Sequence, residues 1–295
     1  MADVPVHLEG RNLTVSNLDK VLYPDTGFTK AQVVDYYVRI APTILPHLRG
    51  RPLTLVRYPD GVAGTSFFEK RRPPSAPPWV ETGGELGSVL CDEAATLVWL
   101  ANLAALELHT HQATVAAPDA PTAVVIDLDP GPPATVLECA RVALDVKQLL
   151  DRLDLVVTVK TSGSKGLHLS VPIAPGTASD ETTKSFALAL GRLLADAAPD
   201  RVTVTMAKEQ RHGKVFVDWS QNDRHKTTVA AYSLRARARP TVSAPVRWSE
   251  VEAALATRDT TSLSFETDAV LTRVETLGDL YAENLTCEQT LPALA

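Results

Sequence analysis

With 295 residues and 45% hydrophobic content, the chain can bury one large core or two modest ones. No apolar run reaches the ~18 residues that span a bilayer. The start, Met1-Ala2-Asp3-Val4-Pro5, lacks the basic-then-apolar order of a secretion signal. Cys91, Cys139 and Cys287 are widely spaced, fit neither a disulfide framework nor a zinc site, and read as reduced thiols of a cytoplasmic protein. The net charge of −6 is uneven: residues 249–295 hold nine acids and two arginines, which leaves 27 bases against 26 acids in residues 1–248. Those bases cluster at Arg49, Arg51 and Arg57, at Lys70-Arg71-Arg72, at Lys208, Arg211 and Lys214, and at Arg235, Arg237 and Arg239. Such patches bind phosphates even on an acidic protein, although each one alone also reads as a solvated face.

In chain order, Thr29 predicts the cap of a helix over 30–40, which Pro42 and Pro46 should end. Strands are expected at 53–57 and 66–70 around Pro59-Asp60-Gly61, then a stiff loop at Pro73-Pro74 and Pro77-Pro78. Asp92 opens an apolar helix to about 106. A strand at 123–128, a helix over about 133–153 and a strand at 155–160 have the order and spacing of a βαβ unit. A short loop leads to a strand at 167–171. A helix over about 180–197 precedes strands near 202–206, 214–219 and 227–237. Ser249 and Glu252 offer a capping box for a last helix. The sum is an α/β protein with a mixed sheet.

Chemistry concentrates at Ala123-Val124-Val125-Ile126-Asp127-Leu128-Asp129-Pro130-Gly131. Side chains two apart on a strand share a face, so Asp127 and Asp129 stand together at its end, where ligands of open α/β sheets commonly bind. Two such carboxylates repel each other, and Mg²⁺ or Mn²⁺ relieves the repulsion; the plainer alternative is a polar strand end entering a turn. Asp218, in Val215-Phe216-Val217-Asp218-Trp219, offers a third carboxylate or is an isolated polar strand residue. Three acids on one sheet suit two divalent ions.

Thr161-Ser162-Gly163-Ser164-Lys165-Gly166 is a small polar loop whose backbone N–H groups and lysine suit an anion, although it is not a Walker loop. His168 and Ser170 share a strand face opposite Leu167, Leu169 and Val171, where a structural histidine is the commoner outcome. Arg235, Arg237 and Arg239 alternate with alanines on an expected strand and match phosphate oxygens; a solvated edge strand reads equally well. Phe67 and Phe68 precede a basic run, and an exposed ring beside positive charge suits base stacking, although two buried rings read equally well.

Together these segments resemble the archaeo-eukaryotic primase superfamily, and within it the polymerase domain of bacterial ligase D with its stand-alone relatives. The resemblance runs from about Asn17 to Arg239 and rests on an ordered set: Asn17-Leu18-Asp19-Lys20-Val21-Leu22-Tyr23-Pro24, Gly50-Arg51-Pro52, Phe67-Phe68-Glu69-Lys70, Leu106-Glu107-Leu108-His109, Asp127-Leu128-Asp129-Pro130, Thr161 to His168, and Val217-Asp218-Trp219. It implies a primase-polymerase catalytic fold, α/β with a central mixed sheet flanked by helices. It also implies a single catalytic domain over 1–295, with a 5′-phosphate and template part at about 1–120, a metal and nucleotide core at about 121–240, and an acidic segment at about 249–295.

The implied activity is a template-directed nucleotidyltransferase, a DNA-directed polymerase or primase. It would fill short gaps or extend ends in DNA break repair by non-homologous end joining, and it would favour ribonucleotides. A non-catalytic DNA-end-binding module is the alternative, and a haloacid-dehalogenase-type phosphohydrolase fits poorly because Pro130-Gly131 follows the acids. The resemblance implies that Asp127, Asp129 and Asp218 are catalytic and hold two Mn²⁺ or Mg²⁺ ions. His109, Ser162, Lys165, His168, Arg211, Gln221 and Arg235 would surround the nucleotide. Lys20 and Lys30 would grip a 5′-phosphate, and Phe67 and Phe68 would stack on bases. Glu69 departs from the uncharged residue expected there. Implied partners are gapped or broken DNA bearing a 5′-phosphate, NTP or dNTP, a DNA ligase and a Ku-like end-binding protein, with no membrane and a cytoplasmic, nucleoid-associated location. Because 295 residues leave no room for a ligase or nuclease domain, the chain reads as a separated domain or a stand-alone enzyme.

Overall fold

The computed structural model describes residues 3–292. Met1 and Ala2, which begin the stretch without a secretion-signal pattern, lie outside the described residues. The elements are β1 (Val4–Leu8), β2 (Arg11–Val15), β3 (Val21–Tyr23), β4 (Phe28–Thr29), α1 (Lys30–Leu48), β5 (Leu53–Arg57), β6 (Phe67–Glu69), β7 (Thr82–Gly83), β8 (Ser88–Val89), α2 (Ala94–Asn102), β9 (Ala105–Thr110) and β10 (Ala123–Pro130). They continue as α3 (Val136–Asp151), β11 (Thr158–Thr161), β12 (Leu167–Pro172), α4 (Asp180–Ala197), β13 (Val202–Thr203), β14 (Val215–Asp218), β15 (Thr228–Val229), β16 (Pro245–Val246), α5 (Trp248–Thr257), α6 (Thr267–Leu277) and α7 (Glu283–Thr286). No described helix is long and apolar enough to cross a membrane.

The chain divides into two compact units. The first comprises Met1–Ala116, Thr227–Ser243 and Glu266–Gly278; the second comprises Ala117–Lys226, Ala244–Phe265 and Asp279–Ala295.

In the first unit, α1 begins as expected: the Thr29 hydroxyl accepts from the Gln32 N–H while the Gln32 side chain accepts from the Thr29 N–H. It does not stop near residue 40. It runs through Pro42 and Pro46 to Leu48, because Ile40, Ala41, Ile44 and Leu48 continue its buried stripe and that burial outweighs the lost hydrogen bonds. The helix expected from Asp92 to about 106 is shorter, Ala94–Asn102. Ala104 turns the chain with φ +54° and releases 105–110 into β9. A four-stranded sheet follows the order β15-β9-β5-β6. The strand expected at 227–237 survives only as Thr228–Val229. Beyond it the chain folds on itself, with the Arg235 N–H donating to Thr241 O and the Arg237 N–H to Arg235 O, so Arg235, Arg237 and Arg239 do not line one strand face.

The second unit is built on a six-stranded mixed sheet of order β13-β14-β10-β12-β11-β16. β12 is antiparallel to both β10 and β11, so those two run parallel with β12 between them. The expected βαβ unit is therefore a split one. Helix α3 makes the crossover, but the tight loop 162–166 returns β12 straight from β11 into the place beside β10. One sheet face presents Ile126, Leu128, Leu169 and Val217 to a core completed by α3, α4 and α5 through residues such as Val142, Phe186 and Val251. The opposite face carries Asp127, His168 and Asp218. The cap of α5 is Arg247, whose N–H is accepted by Glu250, rather than Ser249 with Glu252.

Candidate active site

The register of the second unit's sheet brings the acids together. Asp127 on β10 lies directly opposite Asp218 on β14, and Asp129 lies opposite Phe216. Directly opposed residues share a face, so all three carboxylates project from the same side. The side chain of Asp218 accepts from the Ser220 N–H at 3.0 Å, from the Ser220 hydroxyl and from Gln221 Nε2 at 3.3 Å. Lys226 Nζ donates in turn to the Ser220 hydroxyl. Asp127 Oδ1 lies 3.3 Å from His168 Nε2. Asp129 keeps access to solvent at the strand end, yet its carboxyl is pushed up to about 6. Desolvation in the crowded site contributes most, then the charges of Asp127 and Asp218, with His168 and Arg211 offsetting only part.

Among the described residues no three His, Cys, Asp or Glu side chains converge closely enough to hold a metal ion. Asp218 is turned to Ser220 and Gln221, and Asp127 to His168. The donor set nevertheless fits a divalent cation: three hard oxygen ligands on one face, with enough mutual repulsion to perturb Asp129.

Next to the acids, loop 162–166 is held by its own serine. Ser162 Oγ accepts from the Ser164 N–H at 3.2 Å and from the Gly166 N–H at 3.1 Å, while Lys165 is exposed. Two glycines let backbone strands meet here. A Cβ on Gly166 would lie 2.0 Å from Leu128 O, and one on Gly131 would lie 1.8 Å from Arg211 O. Arg211 lays its guanidinium 3.6 Å from the Phe216 ring centroid and donates to Thr205 O and Met206 O.

In the first unit, His109 and Arg235 meet on a residue that the motif reading left without a role. Glu107 Oε2 lies 2.9 Å from His109 Nε2, and Glu107 Oε1 lies 3.1 Å from Arg235 Nε and accepts from the Ala236 N–H. Burial alone would raise the Glu107 carboxyl, but His109, Arg235 and the Ala236 N–H together hold it down at about 2. The available signal was the i, i+2 spacing of Glu107 and His109, which puts both on one strand face. Lys160 and Lys226 carried no comparable motif.

Lys20 and Lys30 are also neighbours. The Lys30 N–H donates to Lys20 O, and the Lys30 ammonium is lowered to about 8, first by burial and then by the charge of Lys20. Lys20 Nζ pairs with Asp60 at 2.8 Å. Phe67 and Phe68 are both exposed, Phe68 more so at 67%. Glu69 binds Arg57 at 2.8 Å, and that guanidinium lies 5.0 Å from the Phe67 ring centroid. The unexpected acid therefore tethers the cation beneath Phe67.

A mixed sheet with three acids on one face beside a glycine-bearing hairpin is the architecture of a primase-polymerase domain. The family profile described as LigD, primase-polymerase domain, matches residues 29–281, and the chain belongs to that family. It is 44% identical over 276 residues to the multifunctional non-homologous end joining protein LigD of Mycolicibacterium smegmatis, covering 91% of this chain and 35% of that protein. It is 33% identical to the bifunctional LigD of Bacillus subtilis, over 93% of this chain and 44% of that one. The polymerase domain of Mycobacterium tuberculosis ligase D, solved in complex with DNA, superposes with a TM-score of 0.87 at 41% identity, covering 94% of this chain and 99% of that one. The chain thus spans about a third of its mycobacterial relative's length and less than half of the Bacillus one.

Proposed function

We propose that the chain is a template-directed nucleotidyltransferase that fills short gaps and extends broken ends in non-homologous end joining, with a preference for ribonucleotides. The observation that carries this reading is the direct opposition of Asp127 and Asp218, with Asp129 on the same face, in a chain of the LigD primase-polymerase family. In this reaction a primer 3′-hydroxyl attacks the α-phosphate of an NTP and pyrophosphate leaves. Asp127, Asp129 and Asp218 would hold two Mn²⁺ or Mg²⁺ ions, which when bound lower the hydroxyl's pKa and neutralise the leaving phosphates.

The chain's own groups do the positioning. Lys165 and Arg211 supply cationic donors to the triphosphate, Arg211 by swinging from the Phe216 ring. The Nε2 of His168 and the hydroxyl of Ser162 are further phosphate donors, and Gln221 steadies Asp218. In the first unit, Glu107 presents His109 and Arg235 as nucleotide contacts. Lys20 and Lys30 take the downstream 5′-phosphate, and the exposed Phe67 and Phe68 stack on bases. We further assign the chain to work alongside a DNA ligase and a Ku-like end-binding protein at the nucleoid, as a single catalytic domain.

Primer extension on gapped duplexes tests this, comparing Mn²⁺ with Mg²⁺, rNTP with dNTP, and a downstream 5′-phosphate with a hydroxyl. Extension that requires the metal and is abolished by Asp127→Asn with Asp129→Asn, while DNA binding persists, supports the assignment. Extension by that pure double variant overturns it, and DNA binding without extension by the unaltered chain identifies an end-binding module instead.

A further inference from the structure

One row of facing residues crosses four strands of the second unit's sheet: Asp218, Asp127, His168 and Lys160, each directly opposite the next. Lys160 is only 3% exposed, and nothing in the proposed reaction uses it. Its Nζ lies 2.9 Å from His168 Nδ1, and His168 Nε2 lies 3.3 Å from Asp127 Oδ1. A lysine ammonium has three donors and no acceptor. Contact with Nδ1 therefore requires the lone pair on that nitrogen, and a neutral imidazole then carries its proton on Nε2. That is the nitrogen facing Asp127. The opposite tautomer would turn a lone pair toward a carboxylate, and an imidazolium would turn an N–H toward the ammonium.

We propose that Lys160 is a positioning residue that fixes His168 as the Nε2–H tautomer, so that the ring always presents a donor to the acid cluster and to a nucleotide phosphate arriving there. Phosphate oxygens only accept, so a ring carrying its proton on Nδ1 would lose the contact. The kinetic consequence rests on the nucleotidyltransferase reading, whereas the tautomer does not.

The test is a long-range ¹H–¹⁵N spectrum of the histidine-labelled full chain at neutral pH, without metal and with Mg²⁺. The His168 signals are identified by their absence in His168→Gln. The expected result is one tautomer, with Nε2 protonated and Nδ1 not. Lys160→Met should give a mixture or an Nδ1–H form, and Lys160→Arg, whose guanidinium also only donates, should restore the original pattern. In primer extension, Lys160→Met should raise the nucleotide KM about tenfold, the worth of one good hydrogen bond, with a smaller change in kcat. A wild-type His168 protonated on Nδ1 or on both nitrogens overturns the proposal, as does a Lys160→Met variant with the tautomer unchanged. The wild-type spectrum decides the matter even where Lys160→Met does not fold. If the expected tautomer accompanies a chain that extends no primer, the reaction reading falls and the positioning role of Lys160 stands.

Discussion

Asp127 and Asp218, 91 positions apart in the sequence, face each other directly across two antiparallel strands. Like charges directly opposite on a sheet are destabilising, and Asp129 two residues along adds a third to the same face. The pair is tolerated because each acid has a polar group beside it: His168 Nε2 lies 3.3 Å from Asp127 Oδ1, and the Lys226–Ser220 relay donates to Asp218.

This repulsion yields a measurement independent of catalysis. In chelator, Asp127→Asn with Asp218→Asn should melt no lower than the wild type. Mn²⁺ at a hundredfold excess over its dissociation constant should add about 2.7 kcal/mol to the wild type, a rise of several degrees, and nothing to the variant. Thermal melts with and without the ion read this directly, and an equal rise in both proteins would move the metal site elsewhere.

Lys30 gives the proposed 5′-phosphate contact a pH dependence. Burial and Lys20 lower its ammonium to about 8, so its charge is lost as the pH rises through that value, well before an ordinary lysine. Preference for a gap with a downstream 5′-phosphate should therefore decline between about pH 7 and pH 9, and Lys20→Ala with Lys30→Ala should remove it at every pH. Competition binding of phosphorylated against unphosphorylated gaps reports both, and a preference that survives in the double variant would reassign the phosphate contact.

Phe67 and Phe68 should not be equivalent. The Arg57 guanidinium, held by Glu69, already lies against the Phe67 ring, whereas Phe68 is the more exposed of the two. Phe68→Ala should weaken binding to single-stranded template by about 1–3 kcal/mol, in the range of one lost stacking contact. Phe67→Ala should weaken it less and lower thermal stability more. Fluorescence anisotropy with melting curves separates the two, and equal binding losses would mean that both rings stack.

Local features of the site were legible in the sequence because they depend on neighbours in the chain. The period of two placed Asp127 with Asp129, and the Thr29 cap marked the start of α1, whereas the sequence left open whether Phe67 and Phe68 are exposed, as both are. What escaped depends on distant partners. Nothing near Pro42 shows that Ile44 and Leu48 are buried deeply enough to carry a helix past it. Alternating arginines at 235–239 look like a strand until Thr241 folds back to accept from Arg235. The split crossover depends on β12 choosing the place beside β10, which the helix between β10 and β11 does not dictate. Lys160 and Lys226 belong to no motif and gain meaning only from His168 and Ser220 beside them.

Glu107 supplies the clearest acid-dependent prediction. Its carboxyl is held at about 2 by His109, Arg235 and the Ala236 N–H, against the opposing effect of burial. A carboxyl that titrates lower when folded than when unfolded contributes its full stabilisation above the unfolded value of about 4.5, and loses it as the pH falls toward 2. The shift corresponds to about 3 kcal/mol at neutral pH, an upper bound because the unfolded chain retains some structure. Glu107→Gln should therefore lose about 2–3 kcal/mol at neutral pH and show a flatter acid limb, converging with the wild type near pH 2. It should also raise the nucleotide KM, because Arg235 and His109 lose the anion that orients them. Urea unfolding across the acid range checks the first expectation and steady-state extension the second. A variant with the wild-type acid limb would show that another carboxylate governs the loss.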